Sequence, residues 1–463
     1  MFIGIASYSF GFLVEAALYF KPSWMLIAGL CTSVAWAQEG QGTGGVAPAL
    51  SEQAAVTSEG SMPAPLVELV RLVLVRHPEL VSAQAQSRAA ASQLAQSQSQ
   101  AGPRVELGVN AGVEQQQFQR NDISNDYRQL MASVRAVKPL LDPALTAQVA
   151  SRRQALAAAD WQVAIKQEDL MLRTLEVYAD VVRATQLLSL SQANLALHRD
   201  YVTQVKGIAK LDVGRASDLP VAQGRVALAE SINTTRLIAL EQARSALQSL
   251  TGLSQLPELP VLPLLKPAQT LEEAYQTSLS SSASLQLART EIELARQSIE
   301  QAGADYRPRI SLETSGKTGR DWGGVAGGQH DVYVGVRLDW LAWTNGANRH
   351  AVQAATEQKT AADFAYEKSR DELRLRVTNA WYDFLGQAQA LNAYTAYAQH
   401  AQEMVTANRQ QFAIGRRSLL DVLNAENELF TARSNEVGAH TEQLKASLRL
   451  LALQGRLPAL LGQ

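Results

Sequence analysis

Two stretches of this chain alternate apolar with small or polar residues. Val105, Leu107, Val109, Ala111 and Val113 do so within residues 105–115, and Val332, Val334, Val336 and Leu338 within 332–340. A period of two places every second side chain on one face of a strand. Residues 127–137 and 310–317 are the expected partners, giving four strands. At about ten residues each, their length suits a tilted crossing of a bilayer. Between the last two, residues 316–330 carry six glycines and read as a mobile exposed loop, with 116–125 as its counterpart in the first pair.

The rest of the chain is written for helices. Residues 66–99 are helical in composition and stop before Gly102-Pro103. After Pro143, which suits a first helical turn, no proline occurs up to Ala209 and no glycine before Gly207. One continuous helix there would run roughly 100 Å at about 1.5 Å per residue. Residues 345–413 predict a second of similar length. Their partners show heptads: Leu219, Val226, Asn233, Leu240 and Leu247 in one, and Leu423, Phe430, Val437, Leu444 and Leu451 in the other, with Leu419 and Leu448 on adjoining rows. A seven-residue period predicts left-handed pairing with a neighbouring helix.

The plan occurs twice. Gly102-Pro103-Arg104-Val105 is echoed by Arg307-Pro308-Arg309-Ile310, Val213-Gly214-Arg215 by Ile414-Gly415-Arg416, and Leu250-Thr251-Gly252 by Leu453-Gln454-Gly455. The expected organisation is a first repeat over 65–252, a linker over 253–270 containing Pro257, Pro260, Pro263 and Pro267, a second repeat over 271–456, and a tail over 457–463. Residues 1–37 read as a signal peptide ending at Ala35-Trp36-Ala37, and 38–64 as a disordered leader. Leu30 before Cys31 argues against lipidation, and no mature stretch is apolar enough for a transmembrane helix. Four strands cannot close a barrel alone, so strands in lipid would have to be shared among subunits.

Composition narrows the function. Net charge is −2 over 463 residues, which gives nucleic acid no electrostatic footprint. Cys31 is the one cysteine, and the six histidines (His77, His198, His330, His350, His400, His440) have no metal-ligand spacing. No cofactor, metal or catalytic residue is expected, and the chain does not read as an enzyme. A conduit and a pore-free periplasmic coiled coil remain as classes.

Lys138-Pro139-Leu140-Leu141-Asp142, the two Pro-Arg entries above, and the run Gln411-Phe412-Ala413-Ile414-Gly415-Arg416-Arg417-Ser418-Leu419-Leu420-Asp421-Val422-Leu423-Asn424-Ala425 resemble the TolC family of outer membrane factors, over residues 65–455. The resemblance implies an α+β membrane protein: a trimeric 12-stranded β-barrel, four strands per chain, continued by a long α-helical coiled-coil tunnel in the periplasm. It implies an outer-membrane location and a homotrimer surrounded by outer-membrane lipid. The implied partners are a periplasmic adaptor (membrane fusion) protein and an inner-membrane ABC or proton-driven transporter. The implied role is a passive exit duct, most in keeping with type I protein secretion, with multidrug or metal efflux as the alternative. It also places a periplasmic gate near Phe412, Gly415, Arg417, Asp421 and Asn424, with Gly214 and Asp218 in the first repeat. Two departures matter: Pro220 stands where the family usually has an acidic residue, and Asn424 where some members carry a second one. Arg417 and Asp421 are spaced i, i+4, so they could form a solvated surface pair or converge as ionic links between subunits.

Overall fold

The computed structural model describes residues 62–118, 123–211, 217–257, 259–321 and 327–460. The expected signal peptide, the disordered leader apart from its last three residues, and Gly214 lie outside these described residues. The elements are α1 (Ala64–Arg76), α2 (Pro78–Ser99), β1 (Arg104–Phe118), β2 (Ile123–Leu141), α3 (Pro143–Leu211), α4 (Asp218–Thr251), α5 (Leu271–Ser281), α6 (Ala283–Ala304), β3 (Arg309–Arg320), β4 (Gly328–Asp339), α7 (Ala347–Ala413), α8 (Leu419–Leu453) and α9 (Leu457–Leu460).

Two differences from the sequence reading have local causes. The helix expected over 66–99 breaks at His77, because Pro78 disfavours helical backbone in the residue before it; His77 is extended, with ψ 128°, and Pro78 opens α2. The glycine-rich loop is shorter than residues 316–330, since β3 runs to Arg320 and β4 begins at Gly328. Gly319 belongs to the strand because a Cβ there would collide with the backbone carbonyl of Leu130 on the paired strand. The counterpart loop also shrinks, with β1 reaching Phe118 and β2 starting at Ile123.

The strands form one antiparallel sheet in the order β1-β2-β3-β4, so the two hairpins join through β2 and β3. The register shifts between Pro139 and Leu141, where proline cannot donate to the ladder. Asp142 then starts α3, its Oδ1 accepting from Leu145 N at 3.0 Å. The 69 residues of α3 correspond to about 100 Å of helix.

α3 packs along α4, and α7 along α8; α8 also lies against α3, joining the two halves of the chain. The heptad positions Leu240, Leu247, Leu423, Leu444 and Leu451 are buried, as are Leu419 and Leu448. The largest core cluster gathers Leu66 and Val70 of α1, Met171, Leu175 and Tyr178 of α3, and Leu444, Leu448 and Leu451 of α8. The proline-rich segment is part of this packing, because Leu262 and Leu265 are buried in the cluster and Pro260 O accepts from Tyr178 Oη at 2.8 Å. Along the α3–α8 seam stand three ion pairs in succession: Arg183–Glu442 at 3.3 Å, Asp180–Lys445 at 2.6 Å and Glu176–Arg449 at 2.6 Å. The Lys445 side chain is only 11% exposed.

Candidate functional site

The sheet separates its residues by chemistry. The register places Val105, Leu107, Val109 and Ala111 of β1 opposite Ala136, Val134, Ala132 and Leu130 of β2. The same face continues through Leu312 and Thr314 of β3 to Val336 and Val334 of β4. These apolar side chains are not covered by the helices: Leu107 is 82% exposed and Val334 69%. Trp340 extends the alternation just past β4, its Nε1 donating to Tyr306 O at 3.1 Å, and Trp343 beyond it is 81% exposed. Uncovered aliphatics bounded by tryptophans match the lipid-facing band and aromatic girdle of a membrane barrel. The opposite face carries Glu106, Arg135, Glu313, Arg337 and Asp339, several of them ion-paired. Among the described residues no helix is long and apolar enough to cross a membrane. β1 and β4 are the edges of the sheet.

The far ends of the long helices form the second region. Gly415 adopts φ 77°, and Gly415 N and Arg416 N donate to Phe412 O and Gln411 O, both at 2.9 Å, which closes the end of α7. A left-handed residue is needed there, and glycine accepts it without Cβ strain. α8 then starts with a capping box. Ser418 Oγ accepts from Asp421 N at 3.1 Å, while Asp421 Oδ2 accepts from Ser418 N at 3.2 Å and from Ser418 Oγ at 2.8 Å.

Within one chain, Asp421 is therefore first a cap. Its carboxyl is held below the usual carboxylate range by the Ser418 hydrogen bonds, with Arg417 a smaller contributor. Arg417 Nη1 lies 3.9 Å from Asp421 Oδ2, while its Nε donates to Gln411 Oε1 at 3.0 Å. Asn424 Oδ1 accepts from Arg225 Nη2 of α4 at 2.8 Å, tying α4 to α8 near the turn. Phe412 packs against a cluster of Tyr201, Val205, Ala222, Leu419, Val422 and Leu423. Asp218 is the first residue of α4.

The same cluster holds a buried charge that the sequence reading missed. Glu426 is 3% exposed; its Oε1 accepts from Tyr201 Oη at 3.0 Å and from Arg409 Nε. Burial, reinforced by Glu426, pushes the Tyr201 hydroxyl up to about 12. His198 is buried beside them with Nδ1 unpartnered, and burial followed by the Arg225 charge lowers its pKa against the opposing pull of Glu426. Arg409 and Glu426 lie on α7 and α8, either side of the Gly415 turn, and which positions meet depends on the register between the two helices.

The sequence signature of the family described as "Outer membrane efflux protein" matches residues 274–456, which span α5 to α8. Curated relatives agree over more of the chain. Outer membrane efflux protein BepC of Brucella suis is 26% identical over 66% of this chain and 69% of its own. The alkaline protease secretion protein AprF of Pseudomonas aeruginosa is 24% identical over 70% and 69%, and TolC of Vibrio cholerae 24% over 85% and 91%. Among solved structures, the open state of the MtrE outer membrane channel of Neisseria gonorrhoeae superposes with TM-score 0.72 at 20% identity, covering 87% of this chain and 93% of that one. A membrane protein from Pseudomonas aeruginosa gives TM-score 0.74 at 19% identity, over 89% and 100%. An uncovered apolar sheet face, four strands set on overlong paired helices, and these relatives together place the chain in the outer membrane and make it similar to the TolC family of outer membrane factors.

Proposed function

We propose that three copies of this chain close one twelve-stranded barrel and one helical tunnel, a passive exit duct for cargo delivered by an inner-membrane transporter through a periplasmic adaptor. The observation that carries this is the sheet itself: four strands with one apolar uncovered face and two open edges. In lipid an unpaired edge has no water to satisfy it, so the edges must pair with other copies. The smallest membrane barrels need about eight strands, beyond what one chain supplies. Mass measurement in mild detergent should give three copies; a soluble monomer of full helicity would refute the reading.

The cargo we favour is protein, by type I secretion through an ABC transporter. Support comes from AprF, a relative named for secretion of a protease, and from Leu30, which spoils a lipidation pattern at Cys31. BepC, named for efflux, supports drug or metal export by a proton-driven pump as the second reading. Deleting the gene and comparing secreted proteins with drug and metal tolerance separates the two.

The turn at Gly415 is proposed as the inner gate, with Arg417 and Asp421 of three copies converging on the axis. Arg417→Ala is the discriminating substitution, because it leaves the Ser418–Asp421 capping box intact, whereas Asp421→Ala removes gate and cap together. Raised single-channel conductance with an intact trimer supports the gate; unchanged conductance moves it elsewhere.

A further inference from the structure

Glu313 stands at the helix-proximal end of the sheet's polar face. Its Oε1 accepts from Arg135 Nη2 at 3.1 Å on one side and lies 3.7 Å from Arg337 Nη1 on the other. The Glu313 side chain is only 16% exposed, while the two arginines are about half exposed. Arg337 is also held by Asp339 at 3.0 Å, and Glu106 sits directly across from Arg135 in the register. Charge therefore alternates strand by strand, from Glu106 on β1 through Arg135 on β2 and Glu313 on β3 to Arg337 on β4. The cluster lines a cavity of about 470 Å³ where the sheet meets the helices.

We propose that Glu313 is a selectivity-determining residue of the pore, neutralising Arg135 and Arg337 so that the barrel's neck does not select anions. The proposal rests on the trimeric-pore reading above. With β4 of one copy beside β1 of the next, Arg337 is followed by the neighbouring Glu106, and the alternation runs unbroken around the ring. A wall of paired charges presents little net field to a passing segment, so acidic and basic stretches of cargo meet similar barriers. Ion pairing that served only to pin the strands would leave permeation indifferent to the loss of one carboxylate.

Reversal potentials in planar bilayers under a KCl gradient test this, using wild type, Glu313→Gln, Glu313→Asp and Arg337→Gln. Glu313→Gln makes this face more positive by one charge per copy than in the wild type. Three such charges about 10 Å from the axis, in water and screened over about 10 Å at 0.1 M salt, enrich chloride roughly twofold and deplete potassium equally. The chloride-to-potassium permeability ratio should then rise roughly fourfold at 0.1 M salt and much less at 1 M, where screening shortens to about 3 Å. Glu313→Asp should restore the wild-type ratio, and Arg337→Gln should shift it towards potassium. An assembled Glu313→Gln trimer with an unchanged reversal potential overturns the proposal. Should that variant not assemble, an unchanged ratio in assembled Arg337→Gln overturns it equally. A wild-type trimer that conducts nothing refutes the pore reading instead.

Discussion

Arg409→Ala isolates the buried charge near the helical turn. Glu426 keeps Tyr201 as a hydrogen-bond donor but loses the one guanidinium bonded to it, and its side chain is 2% exposed. Removing one partner of a fully buried pair costs about 3–5 kcal/mol. Arg409 is 47% exposed, so water already screens half of this pair. The hydrogen-bond scale for a charged group, about 1.5–3 kcal/mol, is therefore the better guide. Taking about 2 kcal/mol, local opening should become about thirtyfold more frequent. Hydrogen exchange on the assembled protein in detergent reads this directly, at amides around Tyr201 and in the first two turns of α8. Exchange in the sheet should stay unchanged. A double-mutant cycle with Glu426→Ala should return a coupling of about 1–2 kcal/mol. Exchange altered less than threefold in α8, or additive losses in the cycle, would refute the reasoning.

Three further outcomes follow from the same structure. Leu107→Arg puts a charge on the uncovered apolar face at a cost of about 2–4 kcal/mol near mid-bilayer, so heat-modifiable, folded protein should fall sharply in outer-membrane fractions, whereas Asn110→Arg on the polar face should be tolerated. Burial raises the Glu168 carboxyl in α3 to about 7. The folded state thus holds that proton more tightly than the unfolded chain, and its contribution is lost as pH climbs from about 4.5 to 7; Glu168→Gln should leave stability unchanged near pH 4.5 and raise it by up to about 3 kcal/mol at pH 8, measured by denaturation at both. His198 has the opposite sign: its lowered pKa means stability at the turn is lost as pH falls below 6.5, so exchange there should quicken between pH 7 and 5, and His198→Gln should blunt the change.

What the sequence made legible was periodic. Alternation at Val105–Val113 and Val332–Leu338 located the outer strands because one face of each had to be apolar throughout. Heptads located the α4 and α8 seams for the same reason. Glycine misled, because it was read as a sign of a loop when Gly319 marks close backbone approach within a strand. The capping box around Asp421 was written plainly as Ser418-Leu419-Leu420-Asp421, yet the carboxylate was read only as a partner for Arg417, in a surface pair or at a gate. Arg225, Arg409, Glu426 and His198 escaped because their partners lie on other helices, and pairing between helices depends on a register that periodicity alone leaves open.

The order of charges along the α3–α8 seam fixes that register. Arg183, Asp180 and Glu176 meet Glu442, Lys445 and Arg449, one positive and two negative charges against one negative and two positive. A slip of one turn in one direction sets Asp180 against Glu442 and strands both outer arginines. A slip in the other sets Arg183 against Lys445 and strands Glu442 and Glu176. Each displacement of about 5.4 Å thus trades three attractions for one attraction and one repulsion. The seam works as a keyed joint: it resists telescoping along the helix axes, while a swing of the distant turn about this point is opposed instead by the Tyr201–Glu426 and Arg225–Asn424 bonds beside the turn. Any widening at the Gly415 end would have to break those bonds first, with the lever arm set by the stretch of α8 between Glu442 and Asp421.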